Sequence, residues 1–143
     1  MIRRSSANSL DVLAGGNRIF PVIGAARWTA LRRQALADGI MDAAVLTRYE
    51  EAVRPQRAAI AGVGRRAVPQ DSHPLEALDS EDLEGEDLES AFDIGAISVA
   101  CGLGYLDLRS THKRWRSSRP HLTACQVAIN KRPSLAATAP PAP

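Results

Sequence analysis

Between Ile94 and Leu106 the chain carries no charged side chain, and the apolar residues of the surrounding stretch, Phe92 to Arg109, fall on every side of a helix drawn through it. A helix that is apolar all round has to be buried all round. It is too short to cross a bilayer, which takes roughly 20 apolar residues, so the burial must come from other parts of the chain. The sequence therefore predicts a core helix ringed by other helices. Its start is written locally: Asp93 is placed as the N-cap, accepting from a free N–H of the first turn, and Phe92 and Ile97 are spaced as a hydrophobic staple. Gly95, Gly102 and Gly104 each cost about 1 kcal/mol in a helix relative to alanine, and the usual offset is close approach of a neighbouring helix.

Composition narrows the class further. At 143 residues the chain is long enough for one domain with a proper core. A hydrophobic content of 45% with only 4% aromatic residues leaves a core of Leu, Ala, Ile and Val, which favours helices over sheets. The net charge of +2 hides an uneven distribution. Eleven acidic residues and no Lys or Arg lie between Ala67 and Leu108, whereas Arg109 to the end has seven basic residues and no Asp or Glu. The basic residues are scattered among expected core positions, not gathered on one face, which argues against nucleic-acid binding.

Familiar catalytic constellations do not assemble. His73, His112 and His121 have no zinc-ligand spacing to one another or to Cys101 and Cys125, so no metal is expected. The two cysteines read as reduced thiols in helices. Gly102-Leu103-Gly104 lies inside a helix where a phosphate loop would open one. No serine elbow is present. With no apolar signal segment after Met1 and no membrane span, the expected location is the cytoplasm.

Several separate words occur in a fixed order: Asp93-Ile94-Gly95, then Gly104-Tyr105-Leu106-Asp107-Leu108-Arg109, then Trp115-Arg116, Pro120, Leu122, Arg132-Pro133-Ser134 and Thr138. In this order they resemble the C-terminal helical domain of bacterial glutathione S-transferases. The resemblance implies an all-α fold, a helical bundle of about five helices around the buried central helix, with Phe92, Asp93, Ile97, Tyr105 and Asp107 as capping and core residues. It also implies that Leu10-Asp11-Val12-Leu13-Ala14-Gly15-Gly16 is the tail of the last helix of a thioredoxin-like domain. The expected organisation is a remnant of that helix at 1–16, the helical domain at 17–138 and a disordered tail at 139–143.

Taken in order, Pro21 and Gly24 break the chain after Phe20, and a long Ala-rich helix is predicted from Ala25 to about Ala52. One of its stripes carries Leu36, Ile40, Ala43 and Thr47; the next carries Leu31, Ala35, Asp38, Asp42, Val45 and Tyr49. Asp38 and Asp42, four apart, share a face and repel unless solvent or a cation relieves them. In the family this helix borders the active-site cleft and the dimer interface, which makes Asp38, Met41, Val45 and Arg48 candidates to line a substrate pocket.

Arg54-Pro55 closes the long helix. Residues 56–74 then depart from the family pattern through Gly62, Gly64, Pro69 and Pro74, so a short helix from about Gln56 to Ala61 and a loop are expected. An acidic helix follows from Leu75, with Leu78, Leu83 and Leu88 as its apolar contacts. Beyond the core helix a basic loop from Ser110 to Ser118 is expected to pack Trp115 and to pair Arg116 with Asp107. Pro120 opens a further helix to Asn130, with Leu122, Cys125, Val127 and Ile129 as apolar members. The family usually has tryptophan where Cys125 stands, so looser packing is expected there.

By resemblance, the function is glutathione-dependent conjugation or reduction of apolar electrophiles, with glutathione as co-substrate and a small apolar ligand beside it. In that family the residues that stabilise the glutathione thiolate belong mainly to the thioredoxin-like half. No catalytic residue is therefore assigned, and the chain is expected to be a truncated form that does not catalyse alone. A homodimer or a thioredoxin-like partner is expected, and the alternative is a non-enzymatic binding or dimerisation module.

Overall fold

The computed structural model describes residues 4–52, 73–81, 92–109 and 114–140. Among these all regular structure is helical: α1 (Arg4–Leu13), α2 (Gly24–Ala52), α3 (His73–Asp79), α4 (Ile94–Arg109), α5 (Arg114–Ser118), α6 (Pro120–Ile129) and α7 (Pro133–Thr138). The expected helix at Gln56 to Ala61, the loop after it, and Leu83 and Leu88 lie outside the described residues. So does residue 110 with 111–113 of the expected basic loop; from Arg114 that segment is a helical turn instead, closed by a hydrogen bond from Ser118 Oγ to the Trp115 carbonyl.

Helix α4 is the centre. Ile94, Gly95, Ala96, Val99, Ala100, Gly102, Leu103 and Leu106 are all buried along it. On one side it packs against α2, whose contact face is built of Ala30, Ala37, Ile40 and Ala44. Small side chains let the two backbones come close, and Gly95 is where they come closest. A Cβ added there would lie 2.7 Å from the Ala30 carbonyl oxygen and 2.9 Å from Arg33 Cβ, so only glycine fits. At Gly102 the nearest atoms belong to Ala37 at 3.5 Å, ordinary contact.

On the next side Leu75 and Leu78 of α3, Leu122, Cys125 and Ile129 of α6, and Trp115 of α5 complete the main core with Val99, Leu103 and Leu106. The short helices are tied in by polar contacts. Arg119 precedes α6 without a capping side chain, and the carboxylate of Asp79, at the end of α3, accepts from the Leu122 N–H at 3.0 Å in its place. Asp107 accepts from Trp115 Nε1 and Arg116 Nε, each at 3.1 Å, which fixes α5 against the end of α4. Arg116 in turn lies over the Trp115 ring, 4.6 Å from its centre.

Within α6 the buried members are Leu122, Cys125, Gln126 and Ile129, a spacing of three and four residues. Val127 is 53% exposed, so the apolar stripe admits Gln126 and turns Val127 outward. Of the expected tail, Ala139 and Pro140 are described, both exposed; residues 141–143 lie outside the described residues.

Candidate functional site

The first element of the site is the junction where α1, the connector at 14–23 and the start of α4 meet. Helix α1 ends in a Schellman motif: the Gly16 N–H donates to the Asp11 carbonyl at 2.7 Å and Gly15 N–H to the Val12 carbonyl at 3.1 Å. Gly15, Gly16 and Asn17 all have positive φ, at 100°, 73° and 60°, which reverses the chain. That reversal aims the N–H groups of Arg18 and Ile19 at the buried Asp11 carboxylate, each 3.0 Å from Oδ1. Desolvation pushes the Asp11 carboxyl up, but the N–H groups of Ile19, Arg18, Phe20 and Asn17 together outweigh it and hold its pKa below the ordinary 3.8.

The connector next meets α4. The Ile19 carbonyl accepts from the Ile94 N–H at 2.8 Å, while Asp93 Oδ1 accepts from the Ala96 N–H at 2.9 Å. Two donors of the first turn, which a helix leaves without internal partners, are thereby satisfied from outside. Phe20 is buried with Ala7, Ala30 and Ile94 under this joint, and the ring of Phe92 is covered by the Arg132 guanidinium at 3.9 Å. Phe20 is thus inside, whereas Trp28 is outside, 71% exposed. Val22 and Ile23 of the connector and Leu10, Val12 and Leu13 of α1 are exposed as well. Ile97 and Tyr105 are half-buried on α4, Tyr105 against the main core.

The second element is the outward strip of α2. Asp38, Met41, Val45 and Arg48 follow one another at three- and four-residue steps and so share a face that borders the seam with α4. Asp38 and Met41 are half-buried; Val45 and Arg48 are exposed, as are Asp42, Leu46 and Tyr49. The structure thus brings the four candidates onto one strip, with Asp42 beside it in solvent. Below the strip, Arg33 is buried and bonds Glu81 through Nε at 2.7 Å, and Arg32 pairs with the same carboxylate from the surface. A buried charge needs such a partner. Sequence reasoning missed Glu81, which stands 48 positions from Arg33 with no local signal of the pairing.

Neither cysteine is poised as a nucleophile. Burial raises the Cys101 thiol, and raises Cys125 to about 11 in spite of the opposing charge of Arg33. Among the described residues no three His, Cys, Asp or Glu side chains gather to hold a metal ion, and no helix is long and apolar enough to cross a membrane.

Similarity to known proteins fits this architecture. No family model matches the chain. It is 32% identical over 108 residues, 76% of its own length, to the uncharacterized GST-like protein YibF of Escherichia coli (strain K12). A crystal structure of a glutathione transferase family member from Pseudomonas fluorescens Pf-5 with bound glutathione superposes with a TM-score of 0.84 at 44% identity over 94% of this chain. A crystal structure of a family member from the same organism with bound S-(propanoic acid)-glutathione superposes at 0.86, with 43% identity over 96% of this chain and 69% of that one. The chain spans about half of YibF, 53%, and 64% of the protein crystallised with glutathione.

Proposed function

Because this chain belongs to the glutathione S-transferase family, we propose that it forms the electrophile-binding helical half of a glutathione-dependent transferase and does not catalyse by itself. Residues 1–16 would close a thioredoxin-like half, 17–138 would form the helical domain and 139–143 a tail. The observation that carries the proposal is the likeness, at 44% identity over 94% of the chain, to a relative crystallised with glutathione.

The chemistry divides naturally between two halves. Conjugation needs a thiolate, and lowering a thiol pKa takes positioned donors or positive charge. The thiolate then attacks the electrophilic carbon, a carbon–sulfur bond forms, and the leaving group departs with the electron pair. An apolar wall that holds the electrophile next to the sulfur gains rate by orientation. On the strip of Asp38, Met41, Val45 and Arg48, Met41 and Val45 would supply that wall, with the charges of Asp38 and Arg48 at its edges. The exposure of Leu13, Val22, Ile23 and Trp28, all apolar, supports a covering half, since large apolar side chains left in water are a liability. Cytoplasmic location and a role in detoxification belong to the same proposal.

Calorimetry with glutathione on the 143-residue chain, with thermal unfolding of the same samples, tests it. The expected result is a cooperative transition that glutathione does not raise. Fusing the chain behind the thioredoxin-like half of the Pseudomonas relative should give conjugation of chlorodinitrobenzene. Micromolar glutathione binding by the chain alone, or a folded fusion without turnover, would overturn it. A second reading, a non-enzymatic dimerisation or binding module, is favoured by the exposed Val45, Leu46 and Tyr49 on the second half of α2. A dimer that persists without any turnover in the fusion would select it.

A further inference from the structure

Helices α3 and α5 are tied to the bundle by polar contacts that reach other elements, through the Asp79 carboxylate and the Trp115 indole; α7 is held differently. The N–H groups of Leu135 and Ala136 donate to the Arg132 carbonyl at 3.1 and 2.9 Å, and Thr138 Oγ1 donates to the Ser134 carbonyl at 2.8 Å. Among the described residues no hydrogen bond or ion pair joins 133–140 to any other helix. No residue of α7 is buried, and its attachment is the half-buried Leu135, packed against the main core.

The root of α7 is built to turn. Arg132 is extended, at φ −62° and ψ 132°, between two helices. Its N–H donates to the Ile129 carbonyl of α6, while its own carbonyl accepts from the first turn of α7. The hydrogen bonds of the two helices thus meet at Arg132 without overlapping. Rotation about its Cα–C bond carries the carbonyl and α7 together and breaks none of them. Pro133 keeps Arg132 out of the helical region and leaves it about 40° of ψ, so α6 and α7 stay separate elements. Over a helix of about 9 Å this is several ångströms of travel at the far end.

Beside α7 lies a cavity of about 340 Å³, where a helix packed closely on α4 would leave no such space. Ala100, Tyr105 and Leu108 of α4 line it together with Leu135, Ala139 and Pro140, and no residue that lines it carries a formal charge. We infer that α7 with Ala139 and Pro140 is a hinged flap, turning on Arg132 and latched by Leu135, that opens this cavity to a small uncharged apolar molecule and closes on it. The volume falls in the range of ligand pockets, and walls without charge favour an uncharged ligand. The contacts of one half-buried leucine leave the open form at about one molecule in ten. Gly104, which lines the cavity, is half a turn round α4 from Gly95 at the α2 seam, at about 100° per residue. The site is therefore separate from the α2 strip assigned above to the electrophile, and the inference does not rest on that assignment.

The experiment uses the full 143-residue chain, NMR relaxation dispersion and naphthalene as the probe. The amides from Ser134 to Thr138 and those of Ala100 and Tyr105 should share one exchange process that the α6 amides from Leu122 to Cys125 lack, while α7 keeps its helical shifts. Saturating naphthalene should quench that exchange, with its largest shifts in α7 and at Tyr105 and Leu108. Leu135→Ala removes the latch; it should raise the open share to about half and weaken naphthalene about tenfold, through the smaller closed population and the lost contact together. Absence of exchange in α7, loss of its helical shifts in the manner of a fraying end, naphthalene shifts centred on the α2 strip, or unchanged affinity in a folded Leu135→Ala chain would each overturn the inference. The exchange and its quenching in the unaltered chain decide the matter even if the variant does not fold.

Discussion

Gly95 and Gly104 are the same residue type on the same helix, and their surroundings are opposite. At Gly95 the Ala30 carbonyl stands 2.7 Å from the place of a Cβ; at Gly104 the nearest atom is the Gln126 amide nitrogen, 3.9 Å away. On the first side glycine is required by contact between two backbones. On the second nothing requires it, and its helix-weakening effect buys only open space. The difference teaches that an apolar helix expected to be buried all round has two unlike faces, one closed by main chain and one that leaves room, with Cys101 exposed and Gly104, Tyr105 and Leu108 only half-buried.

The sharpest way to break the comparison is Gly95→Ala. Its methyl group would press on the α2 backbone, and we expect a loss of about 2–3 kcal/mol, typical of overpacking, seen as a lower urea midpoint. If the loss is absent, the seam is not closed as described. Next comes Asp93→Ala, which removes the acceptor of the Ala96 N–H at the same closed end; the expected loss is about 1 kcal/mol by the same assay. Gly104→Ala should go the other way and raise stability by about 0.5–1 kcal/mol, because helix propensity improves with no clash. A loss there would mean that the open side is packed.

The smallest effect is expected at Asp11, and it depends on pH. Its pKa is lowered by folding, so its contribution is fully present above the ordinary 3.8 and is lost as pH falls through the folded value. Acid titration of Asp11→Asn beside the unaltered chain should show the two stabilities converging as pH drops below about 4. A gap that stays constant to lower pH would remove the charge from the account of this contact.

How much of this was legible follows the range of each interaction. The central helix was, because an uncharged run with apolar residues on every side leaves one physical solution, and its ring of helices follows from that. The long α2 was legible from its proline-free, Ala-rich pattern. The sharing of one strip by Asp38, Met41, Val45 and Arg48 follows from their spacing alone, whereas what the strip faces rests on family likeness. Contacts between distant residues were not legible: nothing near Asp79 announces that it caps α6, and nothing near Glu81 announces Arg33. Gln126 did carry a signal, since it stands in step with Leu122, Cys125 and Ile129, but Val127 looked the better apolar member until the helix phase was known. The segment from Arg114 reads as loop because its basic residues hide a turn that Trp115 anchors.

The bond from the Ile94 N–H to the Ile19 carbonyl joins residues about half the chain apart. The seam of Ala30 with Gly95 already closes most of that loop, so the connector has only a short segment left to order and should dock onto α4 after α2 has found it. In hydrogen exchange the Ile94 amide should then trade with solvent sooner than amides deep in α4, and a nick in the connector should speed it first. The start of the central helix, the best-capped point in the molecule, is on this account also the place where it begins to come apart.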